Sequence, residues 1–170
     1  CPLDLAPTTS TTASLALGDA IAVALLEANN FQRDDFAKSH PGGKLGKRLL
    51  TTVEDLMSKG KDLPVVSPEM SLSETLIKIS SKGLGVALVI EKKRLLGVFT
   101  DGDLRRTLNK AKDPLNKTIK NYMTKTTKTI LKDKLAIEAL DIMQKNKIYS
   151  LAVVDSNNVP VGVIRMHDLI

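Results

Sequence analysis

The chain has 170 residues, 42% of them hydrophobic and 26% charged, which fits one good-sized globular domain or two small ones. Its formal charge of +6 comes mostly from scattered lysines, and with only 3% aromatics a base-stacking platform for nucleic acid is not expected. No apolar run is expected to span a membrane. Cys1 is the only cysteine, which excludes an intrachain disulfide and a multi-cysteine metal site. No cofactor or metal is expected, and a reducing cytoplasm is the simplest location.

The chain opens at Cys1 without a Met and stops at "MHDLI", where a helix should begin, so a piece of a longer protein is expected. In residues 1–50, "APTTSTTASLALGDAIAVALLEANNF" moves from clustered hydroxyls into apolar residues. Ser10, Thr11 or Thr12 offers a helix cap, and Leu17, Ile21, Ala24 and Leu25 share one face. A helix this apolar should be buried against a larger body, and "ANN" should end it. Pro41-Gly42-Gly43 then forces a turn. One such helix cannot form a core alone, so the segment reads as the tail of another domain.

Residues 51–109 form a unit with the order helix, strand, helix, strand, strand, helix. "TVEDLMSKG" is a short helix and "PVVS" a short strand. "SLSETLIKISSKG" is a helix with a Ser71/Glu74 capping box and Gly83 as its stop. "VALVIE" and "LLGVFT" are strands joined by a polar turn, and "DGDLRRTLN" closes the unit. The linker 110–117 carries Pro114. Residues 118–170 repeat the unit: Met57 aligns with Met123, Glu74 with Glu138, "VALVIE" with "SLAVVD" and "LLGVFTDGDL" with "PVGVIRMHDL". One copy cannot cover both faces of its three-stranded sheet, whereas two copies packed sheet to sheet share a core. The fold class is therefore α/β (α+β), two β-α-β-β-α repeats joined through their sheets.

Thr100 and Asp103 sit where a strand enters a helix. Free amides and the helix dipole favour an anion there. A Thr hydroxyl suits a phosphate oxygen, and a carboxylate three residues on suits the two hydroxyls of a ribose. Thr-x-x-Asp is equally a capping box that serves only the helix. In the second copy Arg165 replaces the Thr while Asp168 remains; Arg165 then either takes over as a phosphate ligand or points to solvent. Arg105 and Arg106 either close over an anion or form a solvated face, with one pointing away from the other.

The doubled unit resembles the cystathionine-β-synthase (CBS) domain pair, on "GVFTDGD" and the paired "M[ST]" helices. In that family the Thr and Asp bind phosphate and ribose of adenylates or related nucleotides. Carried over by position, this implicates Thr100 and Asp103, Asp168 in part, and Arg165 as the point where the second motif departs from the family pattern. The first fifty residues, with "CPLDLAPTTSTTASLALGDAIAVALL" and "DFAKSHPGGKLGKRLL", resemble the end of the sugar isomerase (SIS) domain of D-arabinose-5-phosphate isomerases. These interconvert D-ribulose 5-phosphate and D-arabinose 5-phosphate on the way to Kdo and lipopolysaccharide, by a 1,2 proton shift through an enediol. The His of "SHPGG" maps to His40, which the resemblance implies as catalytic. It further implies a sugar phosphate substrate, a nucleotide or CMP-Kdo at the CBS pair, and a homo-oligomer: a dimer of CBS pairs, a tetramer at full length. The fragment alone is not expected to turn over, because the family's other catalytic residues precede Cys1. The alternative reading is a purely structural oligomerisation module without a ligand.

Overall fold

A computed structural model describes residues 6–32, 35–36, 39 and 50–169. The chain divides into two units, Cys1–Leu49 and Leu50–Ile170. His40 and the Pro41-Gly42-Gly43 turn lie outside the described residues.

The first unit contributes helix α1 (Thr9–Ala28). The expected cap is absent: Thr8 precedes the helix without a side-chain bond, and the hydroxyls of Thr11 and Thr12 donate back to the Thr8 carbonyl at 2.9 and 3.0 Å. Hydroxyls one turn into a helix have that carbonyl within reach, so they do not act as caps. Asn29 ends the helix as expected. The body expected to bury it is not among the described residues. Leu17, Ile21 and Leu25 are exposed. By length and composition α1 is also apolar enough to cross a membrane, with mean hydropathy 1.4, which corrects the expectation that no stretch would be. Asp19 at its middle would cost about 3 kcal/mol at bilayer depth, and the core helix of a soluble protein meets the same test.

The second unit contains the two repeats. The first runs through α2 (Val53–Leu56), β1 (Ser58–Lys59), β2 (Val65–Val66), α3 (Leu72–Lys82), β3 (Val86–Glu91), β4 (Arg94–Thr100) and α4 (Asp101–Lys110). A 3-10 turn, Ile119–Asn121, opens the second repeat. It continues through β5 (Thr129–Leu131), α5 (Ala136–Asn146), β6 (Ser150–Val154) and β7 (Pro160–Arg165), and ends in a 3-10 turn at Met166–Leu169. Helix α3 begins as its sequence dictates: the Ser71 hydroxyl accepts from the Glu74 N–H at 3.2 Å, and Glu74 accepts from the Ser71 N–H at 3.1 Å. It stops at Gly83, whose φ of +65° is left-handed.

One sheet has the order β2-β3-β4, the other β1-β7-β6-β5. In each, the strand before the helix runs parallel to the next and a hairpin completes the set. The strand period of two separates the cores. From β3, Ala87 and Val89 face α3 in a cluster with Leu72, Ile79 and Phe99. Val86 and Leu88 face the other way and meet Ala152 and Val163 of the second repeat. The sheets thus pack face to face, as expected.

The sequence pattern did not show that the repeats exchange their opening segments. Strand β1, from the first repeat, pairs antiparallel with β7 of the second, which makes that sheet four-stranded where three strands were expected. Reciprocally, Thr124 bridges Val98 on β4, with N–H···O bonds of 2.8 and 3.0 Å in the two directions. The amides of Val53 and Glu54 donate to the Lys134 and Lys132 carbonyls, while those of Leu72 and Ser73 donate to Lys117 and Leu115. Each crossing passes over a glycine. At Gly97 an added Cβ would stand 2.6 Å from the Thr124 carbonyl oxygen, and at Gly162 it would collide with the Met57 side chain. Gly97→Ala should therefore destabilise the chain by about 1–3 kcal/mol, as an overpacked backbone crossing does. Urea unfolding checks this, and an unchanged midpoint would contradict the exchange.

Candidate ligand-binding cleft

Strand β4 ends at Thr100, whose extended backbone hands the chain to α4. The Thr100 hydroxyl accepts from the Asp103 N–H at 3.3 Å and donates to Asp103 Oδ2 at 2.7 Å; Oδ2 also accepts the Thr100 N–H at 2.9 Å. The turn is thus a complete capping box. Oδ1 accepts from the Thr124 hydroxyl at 3.1 Å and from the Arg106 guanidinium. Thr124 reaches Asp103 because its backbone is bridged to β4, so the exchange of segments helps build the turn. Asp103 is buried. Burial pushes its carboxyl up, but the hydrogen bonds from Thr100, Arg106 and Thr124 outweigh that and hold it below the ordinary value.

The second turn is built differently. Asp168 accepts the Arg165 N–H at 3.0 Å, and its two oxygens take Nε and Nη2 of the same arginine at 3.1 and 2.7 Å. Nη1 donates to the Gly83 carbonyl, at the end of α3 in the other repeat, at 3.1 Å. Burial raises the Asp168 carboxyl and the Arg165 bonds lower it, with a net lowering. Arg165 is thus neither turned to solvent nor left as an unpaired cation.

Both turns face one cleft of about 700 Å³ within the second unit. Thr100, Asp103 and Arg165 line it; Asp168 does not, and His40 is outside the described residues. Arg105 and Arg106 both line the cleft, so neither points away as expected of a solvated pair. The sequence reading missed several further contributors, among them four that shape or charge the cleft. Gly85 stands at φ +66°, where an added Cβ would meet Asp101 Oδ2 at 3.1 Å. Tyr149, its counterpart in the second repeat, is 77% exposed at the cleft. Lys128 and Lys147 also line it. The two closely spaced glycines of "GLG" and the rarity of aromatics were the available signals. Nothing in the sequence brought Lys128 and Lys147 together.

Chemically, the cleft offers hydroxyls, cations and the N-terminus of a ten-residue helix to an anion. It offers no unoccupied carboxylate oxygen on Asp103, because both oxygens are already bonded. Since the native Asp103 pKa is depressed below its unfolded value of 3.8, its stabilising contribution is fully present above about pH 4. It is lost as the pH falls through the lower native value. Asp103→Asn should lower stability at pH 7 by about 1 kcal/mol, as loss of a cap does, and should flatten the acid limb of a stability–pH curve. An unaltered acid limb would contradict this.

Residues 53–110 and 119–170 match the family described as "CBS domain". Over its whole length the chain is 51% identical to arabinose 5-phosphate isomerase KdsD of Francisella tularensis and 53% identical to that of Pseudomonas aeruginosa. It spans about half the length of these curated relatives, 52% in each case. Among solved structures, the CBS domain pair of MJ0100 in complex with 5′-methylthioadenosine and S-adenosyl-L-methionine is similar. Its TM-score is 0.64 at 24% identity, over 71% of this chain and 93% of that one. CBSX2 of Arabidopsis thaliana in complex with AMP has a TM-score of 0.59 at 24% identity, over 70% of this chain and 92% of that one. With two aligned repeats, paired sheets and a family match across both, the chain belongs to the CBS-domain family.

Proposed function

We propose that the chain is the C-terminal part of a D-arabinose-5-phosphate isomerase, and that its CBS pair is a regulatory module that binds a nucleotide or CMP-Kdo in the cleft beside Thr100. The whole-length identity to two isomerases supports the first half of this reading. One observation carries the second: the Thr100–Asp103 turn opens, at the N-terminus of α4, into a cleft lined by hydroxyls and cations. CBS pairs of similar fold have been solved with adenine nucleosides or AMP.

In the full-length protein the reaction is an aldose–ketose isomerisation on a sugar phosphate, within Kdo and lipopolysaccharide biosynthesis in the cytoplasm. His40 is the one residue of this chain assigned to that active site, as acid–base group or ring-opener. On this reading the remainder of the catalytic set precedes Cys1, and the chain spans 52% of the relative's length. The homologous first fifty residues are read as the end of the SIS domain, and the full-length enzyme as a homo-oligomer. The cleft then serves as the sensor and the isomerase domain as the responder.

One observation favours the structural alternative. Asp103 is fully engaged in capping and in holding Thr124, as a module without ligand would require. Calorimetry separates the two. Titration of the chain with AMP, ATP and CMP-Kdo should give saturable heat with at least one, lost in Thr100→Val. No heat from folded protein would leave the structural reading standing.

A further inference from the structure

The charges of the cleft fall into two classes. Arg106 is paired with Asp103, and Arg165 with Asp168. Arg105, Lys128 and Lys147 also line the cleft and have no ion pair among the described residues. Asp101 is the one other carboxylate in the lining. These three cations come from three separate segments: the first turns of α4, the loop before β5, and the end of α5. A solvated lysine-rich face would not need such convergence.

Lys147 adds an independent observation. It ends α5 in the left-handed region, at φ 54°, and its counterpart at the end of α3 is Gly83, at φ 65°. Glycine is the residue that this conformation favours. The second repeat holds a lysine there, and this lysine lines the cleft.

We infer that the cleft selects a ligand carrying several negative charges, of the nucleoside polyphosphate or multiply charged phosphate-ester class, over a neutral nucleoside. Arg105, Lys128 and Lys147 supply the selectivity. Thr126 adds a hydroxyl to the lining, whereas those of Thr100 and Thr127 already donate to Asp103 Oδ2 and to the Thr124 carbonyl. Three unpaired cations facing one carboxylate give a net attraction that a neutral ligand cannot use. The saturated Asp103 leaves less of the recognition to a sugar diol. This deepens the regulatory reading of the same cleft and rests on it for the nucleotide, though not for the phosphates.

The test uses the 170-residue chain with inorganic tripolyphosphate, ATP, AMP and adenosine, at two salt concentrations. Tripolyphosphate should bind saturably and weaken steeply with salt, and affinity should fall in the order ATP, AMP, adenosine. Lys147→Gly should lower tripolyphosphate affinity about fivefold, the scale of one partly exposed charge contact. Its Tm should stay level or rise, because glycine suits the left-handed site. Lys128→Ala, away from that position, should give a similar loss. Adenosine binding as tightly as ATP would overturn the inference, as would tripolyphosphate failing to bind or binding Lys147→Gly unchanged. If tripolyphosphate binds and nucleotides bind no tighter, the nucleotide reading falls and the polyanion selectivity stands. If the nucleotides bind irrespective of charge, the reverse holds.

Discussion

The absence of a side chain at Gly97 and Gly162 is the constraint on which the second unit depends. A glycine lets the opening segment of the opposite repeat lie against the strand, with the Thr124 backbone over Gly97 and the Met57 side chain and Ser58 carbonyl over Gly162. From those two crossings come the four-stranded sheet, the reciprocal amide bonds and the placement of Met57 in the core of the second repeat. Buried apolar surface between Val86, Leu88, Ala152 and Val163 would hold two separate sheets together. The exchange goes further: the hydrophobic core beneath each sheet includes residues from the other repeat, such as Val53 in one and Ile119 in the other.

The same crossing reaches the cleft. Thr124 arrives at Asp103 on a backbone bridged to β4, so an element of the second repeat completes the turn of the first. The counterpart turn has gone another way, with Arg165 reaching across to Gly83. Sequence duplication therefore ends in structural asymmetry. One turn presents a hydroxyl to the cleft, and the other is closed by a guanidinium that joins the repeats.

Much of this was legible in the residues. The Ser71–Glu74 box, the left-handed Gly83, the alternating faces of "VALVIE" and the doubled order of elements all follow from local chemistry that the tertiary fold does not override. The exchange of segments was not legible. A two-residue strand such as Ser58–Lys59 has no periodicity, and its partner is a hundred residues away in the chain. The two glycines were visible, but they read as features of a motif before the crossing backbone was known. The cleft was half legible for a similar reason. Thr100 and Asp103 sit within one motif, whereas Lys128, Lys147 and Tyr149 come together only through the fold. For α1 the apolar pattern specifies a need for cover without naming what provides it.

If exchanged openings fuse the repeats, the second unit must unfold as one. Native-state hydrogen exchange, followed separately in β3–β4 and β6–β7 under increasing denaturant, tests this most directly. The account predicts that the slowest amides of both hairpins share one opening free energy and one denaturant dependence. Two distinct opening free energies, one for each hairpin, would show that the repeats are independent bodies and would contradict it.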